Sequence, residues 1–202
     1  SPVLAAPVAL VALLPLLVLL DLGAGAESLW DPQWLSVFGQ SIALTGLTVL
    51  GSLLLGVPLA VLMAYVKLPV QRLWLVLLSA PLAMPSYIGA FTFYAAFGPG
   101  GEIEQVTGLP TPDMRGLLGA AVVMTLYTFP FVLLTTRASL RSLDASVLDA
   151  ARTLGLSLPA ALWRAVLPRV RRGIAAGALL VALYTLSDFG TPAIMGVDTF
   201  TR

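Results

Sequence analysis

The 202-residue sequence contains neither cysteine nor histidine. Without cysteine, this sequence cannot form disulfides or thiolate metal sites. Without histidine, it lacks the commonest general base and metal ligand. Charged residues make up only 10% of the chain, against about 25% in a soluble globular domain. Hydrophobic residues reach 58%, and the mean hydropathy is +0.96. Because so few charged residues cannot form a water-compatible surface, we expect most of the protein surface to face lipid.

Five hydrophobic segments have the length of a membrane span. They cover residues 3–20, a stretch within 36–66, and residues 73–97, 116–136 and 174–189. Since about 20 residues cross a bilayer as a helix, the predicted fold class is all-α, a polytopic membrane helical bundle. A cleaved signal peptide is the alternative for the first segment, but its apolar run is long and no basic region precedes it. Trp30 and Trp34 are expected at headgroup depth.

The loops between these segments alternate in charge. The first and third loops are acidic and the second and fourth are basic, with Asp21, Glu27, Asp31, Glu102, Glu104 and Asp113 set against Lys67, Arg72 and seven arginines within 137–172. The positive-inside rule then places the N-terminus and the 137–172 loop in the cytoplasm, and the tail after Phe189 outside. The net charge of +1 gives no indication of nucleic-acid binding.

We interpret residues 1–202 as a single transmembrane domain cut from a longer chain at both ends. The sequence begins at Ser1 without a methionine and stops at Arg202, a few residues beyond the fifth segment. The stretch 190–202 is expected to be an extracytoplasmic loop that leads to a further helix.

The basic loop 137–172 has the pattern of a folded helix–turn–helix. Ser142 or Asp144 is expected to cap its first helix. The apolar positions of that helix fall on one face and are Val147, Leu148, Ala151 and Leu154. Gly155 supplies the left-handed residue that ends it.

A second short helix follows in the same loop. Ser157 is expected to cap it, with Pro159 in its first turn, where a missing N–H costs little. Its continuation is Ala160, Ala161, Trp163 and Leu167. Pro168 is expected to interrupt it, which would leave two short helices beneath the membrane. The alternative is an amphipathic helix on anionic lipid, with its arginines at the headgroups.

The spacing of this loop resembles the EAA loop of importer-type ABC transporter permeases. In that pattern Glu-Ala-Ala is followed by three residues, Gly, nine residues, Ile, one residue and Leu-Pro. The corresponding residues here are Asp149, Ala150, Ala151, Gly155, Ala165, Leu167 and Pro168. Two positions depart from the pattern, since Asp149 replaces Glu and Ala165 replaces Ile. The shorter aspartate changes the geometry of any salt bridge to a partner.

The resemblance implies a MetI-like permease fold, without catalytic activity of its own, in a bacterial or archaeal inner membrane. The ATPase-coupling residues that it implies are Asp149, Ala150, Ala151, Gly155, Leu167 and Pro168. In such permeases the loop seats in a cleft of a cytoplasmic ABC ATPase subunit, whose ATP-driven closure switches the membrane helices between inward- and outward-facing states. Asp149 is then expected to pair with a basic residue of the ATPase, and Gly155 to set the bend. Further implied partners are an extracytoplasmic solute-binding protein and a second permease half or copy; no cofactor is expected.

The stretch 187–201, beginning Ser-Asp-Phe-Gly-Thr-Pro, resembles the corresponding segment of ferric-iron permeases. The likeness spans most of 36–201 and implies the N-terminal half of a double-length chain that passes ferric iron from a periplasmic binding protein. Related permeases for thiamine, polyamines, phosphonates or sulfate share the fold and the loop, so these solutes remain alternatives.

Asp188 lies at the end of the fifth predicted span, where a carboxylate is costly unless it is wet or paired. With Ser187 it is the candidate for the translocation path, where it would attract a cationic substrate. The alternative is a structural one, in which Asp188 terminates the helix together with Ser187 and Gly190.

Small residues and prolines in the spans are interpreted as structural. Gly173-xxx-Gly177 and Ala60-xxx-Ala64 would let helices pack closely, and prolines would bend or loosen the spans at Pro58, Pro81, Pro85 and Pro130. A secondary transporter or channel is the less favoured function, because the spans other than at Asp188 lack acids and bases. A membrane enzyme would need a catalytic constellation that this sequence does not contain.

Overall fold

The computed structural model describes residues 32–66, 69–144 and 146–201, and within this part of the chain it contains helices and no strands. In chain order the elements are α1 (Pro32–Tyr65), α2 (Gln71–Ser79), a 3-10 turn (Ala80–Ala83), α3 (Ser86–Phe97), α4 (Glu102–Thr107), α5 (Leu117–Arg141), α6 (Ser146–Thr153), α7 (Leu158–Ala161), a π-helical turn (Leu162–Val166), α8 (Leu167–Ser187) and α9 (Gly190–Met195). The predicted all-α class is confirmed. The first predicted span, 3–20, the acidic loop after it, Trp30, Lys67 and the side chain of Trp34 lie outside the described residues.

An extensive helix contact within the unit Val37–Arg202 joins α5 to α8. Two glycines of α8 let the backbones approach. A Cβ on Gly177 would lie 2.5 Å from Thr135 Oγ1 and 2.7 Å from Val132 Cα, and one on Gly173 would overlap the Ser139 hydroxyl. The predicted packing role of this glycine pair is confirmed.

Small residues also line the contact of α1 with α5, but they are shifted by one turn from the prediction. A Cβ on Gly56 would lie 2.7 Å from Val132 Cβ, and Ala60 is fully buried. Ala64 is exposed. The close pair on α1 is therefore Gly56 and Ala60, rather than Ala60 and Ala64.

Within the described residues, two helices are long and apolar enough to cross a membrane, Leu35–Tyr65 and Leu117–Arg141. A third candidate is the pair Gln71–Ala83 and Ser86–Thr107, which is bent by 97°. The third predicted span, 73–97, is therefore broken, which agrees with the predicted bending effect of Pro81 and Pro85. Proline restricts the residue before it to an extended conformation. Met84, which precedes Pro85, accordingly has ψ of 140°, and the helix ends there.

The fifth predicted span, 174–189, overlaps the last part of α8, which ends at Ser187, and it is not among these candidates. Its apolar part runs from Ile174 to the helix end at Ser187. These roughly 14 residues reach ~21 Å at ~1.5 Å each, which is short of a hydrocarbon core of ~30 Å. The first turns of α8 carry Arg169, Arg171 and Arg172. Of the four predicted spans in the described residues, two correspond to single candidate helices, one corresponds to the bent pair, and 174–189 corresponds to none.

Candidate coupling surface

The first helix of the basic loop is capped by an aspartate. Asp144 Oδ1 accepts a hydrogen bond from the backbone N–H of Ser146 at 2.9 Å, and its carbonyl accepts from Val147 N–H at 3.2 Å. The Ser146 backbone N–H first, and then the Ser146 side chain, lower the pKa of the Asp144 carboxyl from its ordinary value of 3.8 by hydrogen bonding to its charged form. Ser142 Oγ instead donates to the Ser139 carbonyl at 2.9 Å, at the end of α5. Of the two predicted caps, Asp144 is the one that bonds to α6.

Gly155 ends this helix in the predicted way. Its φ is +88°, the left-handed conformation in which glycine has no steric penalty. Gly155 N–H donates to the Arg152 carbonyl at 3.0 Å, and Leu156 N–H reaches back to the Ala151 carbonyl at 3.3 Å. The bond that reaches back over five residues closes the helix end as in a Schellman motif and gives a sharp, defined corner.

The second half of the loop differs from the prediction at Pro168. Ser157 holds the cap position without a side-chain bond, and Pro159 lies in the first turn as expected. Pro168, however, does not interrupt the helix; it lies in the first turn of α8. The π-helical turn directly before it shifts the hydrogen bonding, so that Leu167 N–H donates to the Leu162 carbonyl. The wider turn relieves the clash that a proline ring makes inside a regular helix.

The second half of the helical loop (146–166) therefore continues into α8 without a helix break, from Leu158 to Ser187. Between α6 and the π-helical turn lies a cleft of about 390 Å³, whose lining includes Ala150, Ala151, Ala165 and Arg164. Small side chains on both sides bring the two segments together. Ala151 is buried, which gives the second alanine of the motif a packing role.

The structure divides the predicted coupling residues between the interior and the surface. Ala151 is buried and Leu167 is half-buried against the core. The other residues are exposed, namely Asp149, Ala150, Gly155 and Pro168. The exposed members are the ones that a partner can reach.

Two large apolar side chains of the helical loop face solvent. Leu154 is 84% exposed and Trp163 is 73% exposed. The prediction that Leu154 packs on the face of Ala151 is wrong, because α6 ends at Thr153 and the chain has already turned toward Gly155. An exposed Trp outside the candidate spans is typical of a protein-interface anchor, and the exposed Leu154 adds apolar area to the same loop. The sequence signal for Trp163 is a lone tryptophan in an arginine-rich loop.

The carboxylate of Asp188 ties three segments together. Its Oδ1 accepts from Ser86 Oγ at 2.5 Å, at the start of α3, and its Oδ2 accepts from Thr191 N–H at 3.0 Å, in α9. Its backbone carbonyl accepts from Thr201 Oγ1 at 2.7 Å. Ser187 Oγ donates to the Tyr184 carbonyl at 3.0 Å. This geometry accounts for Asp188 as a cap, and its place on the translocation path stays a prediction.

The segment after Asp188 packs onto other helices and is not an open loop. Met195 is fully buried, and its carbonyl accepts from Gly116 N–H at 2.7 Å, just before α5. Phe200 N–H donates to Ser41 Oγ at 3.1 Å, and the Phe200 ring meets Phe38 edge-on at 5.4 Å between centroids. The end of the described chain is therefore bound to α1.

The family described as "binding-protein-dependent transport system inner membrane component" matches residues 56–201. The chain is 26% identical over 175 residues to the Fe(3+)-transport system permease protein FbpB 2 of Haemophilus influenzae, which covers 87% of this chain and 32% of that protein. It is 32% identical over 174 residues to the spermidine/putrescine transport system permease protein PotB of Escherichia coli, covering 83% and 63% respectively.

A probable molybdenum ABC transporter permease of Haloferax volcanii is 27% identical over 156 residues, covering 77% of this chain and 57% of that protein. The chain spans less than two thirds of the length of each of these relatives. The crystal structure of an amino acid ABC transporter has the same fold, with a TM-score of 0.57 and 16% identity over 85% of this chain and 75% of that one. Because the family match covers most of the sequence and the fold agrees with it, the chain belongs to the binding-protein-dependent inner-membrane components, the MetI-like permeases of ABC transporters.

Proposed function

We propose that this chain is part of the membrane permease of an ABC importer. ATP is hydrolysed by a separate cytoplasmic ATPase, and an extracytoplasmic binding protein delivers the solute. A second permease half or copy completes the pathway. The observation that carries the proposal is the helical loop 146–166, a rigid corner with exposed apolar and acidic groups in a membrane protein of this family.

The helical loop has the properties needed to receive an ATPase. Leu154 and Trp163 fill apolar pockets of the partner, and Asp149 pairs with a basic residue of it. The π-helical turn connects the loop to α8 without a flexible joint, and α8 packs along α5 through Gly173 and Gly177. A displacement of the loop by the closing ATPase pair therefore moves a packed helix pair rather than a loose linker.

Ferric iron is the solute that we propose first. The run 187–201 and the similarity to an Fe(3+)-transport permease over 87% of the chain support it. A polyamine is the second candidate, because the spermidine/putrescine permease PotB of Escherichia coli shares 32% of residues.

The test is reconstitution of the full-length chain with the ATPase and the binding protein encoded beside it. We expect the ATPase to copurify, and ATP hydrolysis in liposomes to rise when loaded binding protein is added. Uptake of radioactive ferric iron is compared with that of spermidine and molybdate. Accumulation of iron alone supports the first solute, and accumulation of spermidine alone supports the second.

Two results would contradict the proposal. Uptake driven by an ion gradient without ATP would indicate a secondary transporter. Failure of the ATPase to copurify, with the helical loop bound to anionic vesicles instead, would favour the lipid-lying alternative for that loop.

A further inference from the structure

A cavity of about 460 Å³ lies where the end of α1, the start of α2 and the end of α5 meet. Arg72, Arg137 and Arg141 line it, together with Gln71, Met63 and Leu75. Among the described residues of the lining, none is acidic. Three like charges around one space repel one another unless an anion lies between them. We call this space the arginine cavity.

Arg137 supplies a second, independent observation. Its Nε–H is buried and has no hydrogen-bond acceptor among the described residues. A buried donor without an acceptor costs about 1–3 kcal/mol, more when the group is charged. The guanidinium of Arg137 thus carries an unsatisfied donor beside a site that has an excess of positive charge, and an anion in the cavity would offset that charge.

The walls of the cavity are fixed by packing. Gln71 Nε2 donates to the Met63 carbonyl, which joins the start of α2 to the end of α1. Met63 is buried in the same core cluster as Leu133 and Leu140 of α5. Since all three walls are held by these contacts, the arginine cavity is preformed.

The depth of the cavity indicates where the anion comes from. The candidate span of α1 ends at Tyr65 and that of α5 ends at Arg141, so the cavity lies at the level where hydrocarbon gives way to headgroups. Trp74 and Leu73 of α2 are about half exposed beside Arg72, and tryptophan favours this interface. Arginine binds phosphate through two parallel hydrogen bonds.

We propose that the arginine cavity binds a phosphate-bearing anion, and that the headgroup of an anionic phospholipid is its source. The bound phosphate joins α1, α2 and α5 directly before the helical loop. It is distinct from the transported solute and does not depend on which solute that is. An anionic lipid then stabilises the base from which the coupling loop projects.

The first arm of the test measures lipid selectivity of the full-length permease–ATPase complex. The complex is placed in nanodiscs of phosphatidylcholine with or without phosphatidylglycerol, and bound lipid is counted by native mass spectrometry. We expect phosphatidylglycerol to be retained, and Arg137→Gln and Arg141→Gln each to weaken retention about fivefold, the effect of one basic residue near a membrane surface. Arg137→Lys, which keeps the charge, should lose less.

The matched control is the pair Arg152→Gln and Arg164→Gln, which removes arginines of the neighbouring helical loop that do not line the arginine cavity. It should leave lipid retention unchanged. The second arm titrates inorganic phosphate into the complex in neutral detergent. Phosphate binding that Arg141→Gln abolishes, without lipid selectivity, would support the phosphate site and assign it to a soluble anion.

The proposal is overturned if neither phosphatidylglycerol nor phosphate binding changes in the cavity variants, or if the control pair weakens both equally. Normal solute uptake by these variants would not count in favour of the phosphate site, because the site is distinct from the solute pathway. Conversely, failure of ATPase copurification would contradict the proposed function but not the phosphate site. Both arms can then be run on the full-length permease alone, so the two failures are distinguishable.

Discussion

Gly155 shows how much one residue decides in the helical loop. A Cβ at this position would meet nothing within 4 Å, yet φ is +88°. The backbone conformation, and not a lack of space, therefore requires glycine. Most other residues pay about 1–2 kcal/mol for the left-handed conformation. A glycine that follows an apolar helical pattern is a local signal, which is why the sequence predicted this corner correctly.

Gly155→Asp is expected to uncouple ATP hydrolysis from transport. The left-handed φ is strained, and a negative charge at the C-terminal end of α6 is unfavourable to the helix dipole. We expect solute uptake per ATP to fall about tenfold, from roughly 1.4 kcal/mol lost at the docked loop, while the protein remains inserted. Both quantities are measured in liposomes.

Gly108→Asp is the matched control, because Gly108 also has positive φ, +68°, with nothing within 4 Å of an added Cβ. It ends α4, away from the helical loop. Normal coupling in Gly155→Asp, or equal loss in both variants, would remove Gly155 from the coupling mechanism.

Substitutions of Asp188 distinguish a structural role of its carboxylate from a role in transport. Its two oxygens accept from Ser86 Oγ and Thr191 N–H, so Asp188→Ala is expected to lower the free energy of unfolding by about 1–3 kcal/mol. Asp188→Asn keeps one acceptor and should be milder. Thermal unfolding in detergent measures both. If Asp188→Asn leaves stability intact but abolishes uptake, the carboxylate charge serves the translocation path.

At the scale of elements, close helix contact depends on where glycines face. Gly177 of α8 lies against Val132 and Thr135 of α5, whereas a Cβ on Gly46 of α1 would meet nothing within 4 Å. The two glycines have the same helical backbone and different surroundings. The spacing of small residues predicted the pair on α8, but it misplaced the pair on α1 by one turn because spacing does not specify which face meets a neighbour.

Gly177→Ala is expected to destabilise the protein by about 1–3 kcal/mol, because the new methyl overlaps the α5 backbone. Gly46→Ala should be neutral or stabilising by up to about 1 kcal/mol through helix propensity. The midpoint of thermal unfolding in the same detergent gives the comparison. Equal effects of the two substitutions would show that α5 and α8 are not in close contact.

The two exposed side chains of the helical loop are expected to anchor the ATPase. Leu154→Ser and Trp163→Ala should each weaken ATPase binding by about 2 kcal/mol or more, as interface anchors do, without loss of stability. Leu109→Ser is the control, since Leu109 is 68% exposed outside the helical loop. Titration of purified ATPase onto the full-length permease measures the affinity. Unchanged binding in both loop variants would place the docking surface elsewhere.

Prolines had different outcomes in different elements. Pro58 and Pro130 lie inside α1 and α5, which remain single helices. The 3-10 turn after α2 ends directly before Pro85. Pro168 follows a π-helical turn, and the chain stays helical there. A proline predicts a disturbed hydrogen-bond ladder. Whether the helix breaks, continues or widens depends on neighbouring contacts that the local sequence does not contain.

At the scale of the whole molecule, the alternation of loop charges predicts opposite sides for α4 and the helical loop. Since the sequence has no cysteine, single-cysteine variants report directly on sidedness. Thr107→Cys should react with a membrane-impermeant maleimide in intact cells. Ser157→Cys should react only after the membrane is permeabilised. The reverse pattern would put the helical loop outside and end its role as an ATPase contact.

The sequence by itself determined the membrane class, the all-α fold, the Gly155 corner and the family. These follow from composition, helical periodicity, local turn chemistry and motif spacing, none of which needs a distant partner. Only the tertiary structure decided the 97° angle between Gln71–Ala83 and Ser86–Thr107, the exposure of Leu154 and the contacts of Asp188 with α3 and α9. Each of these depends on which surfaces meet across more than 12 residues of chain or on the direction in which a helix ends. The sequence pattern indicates which groups need burial or a hydrogen-bond partner, and tertiary packing determines which residue that partner is.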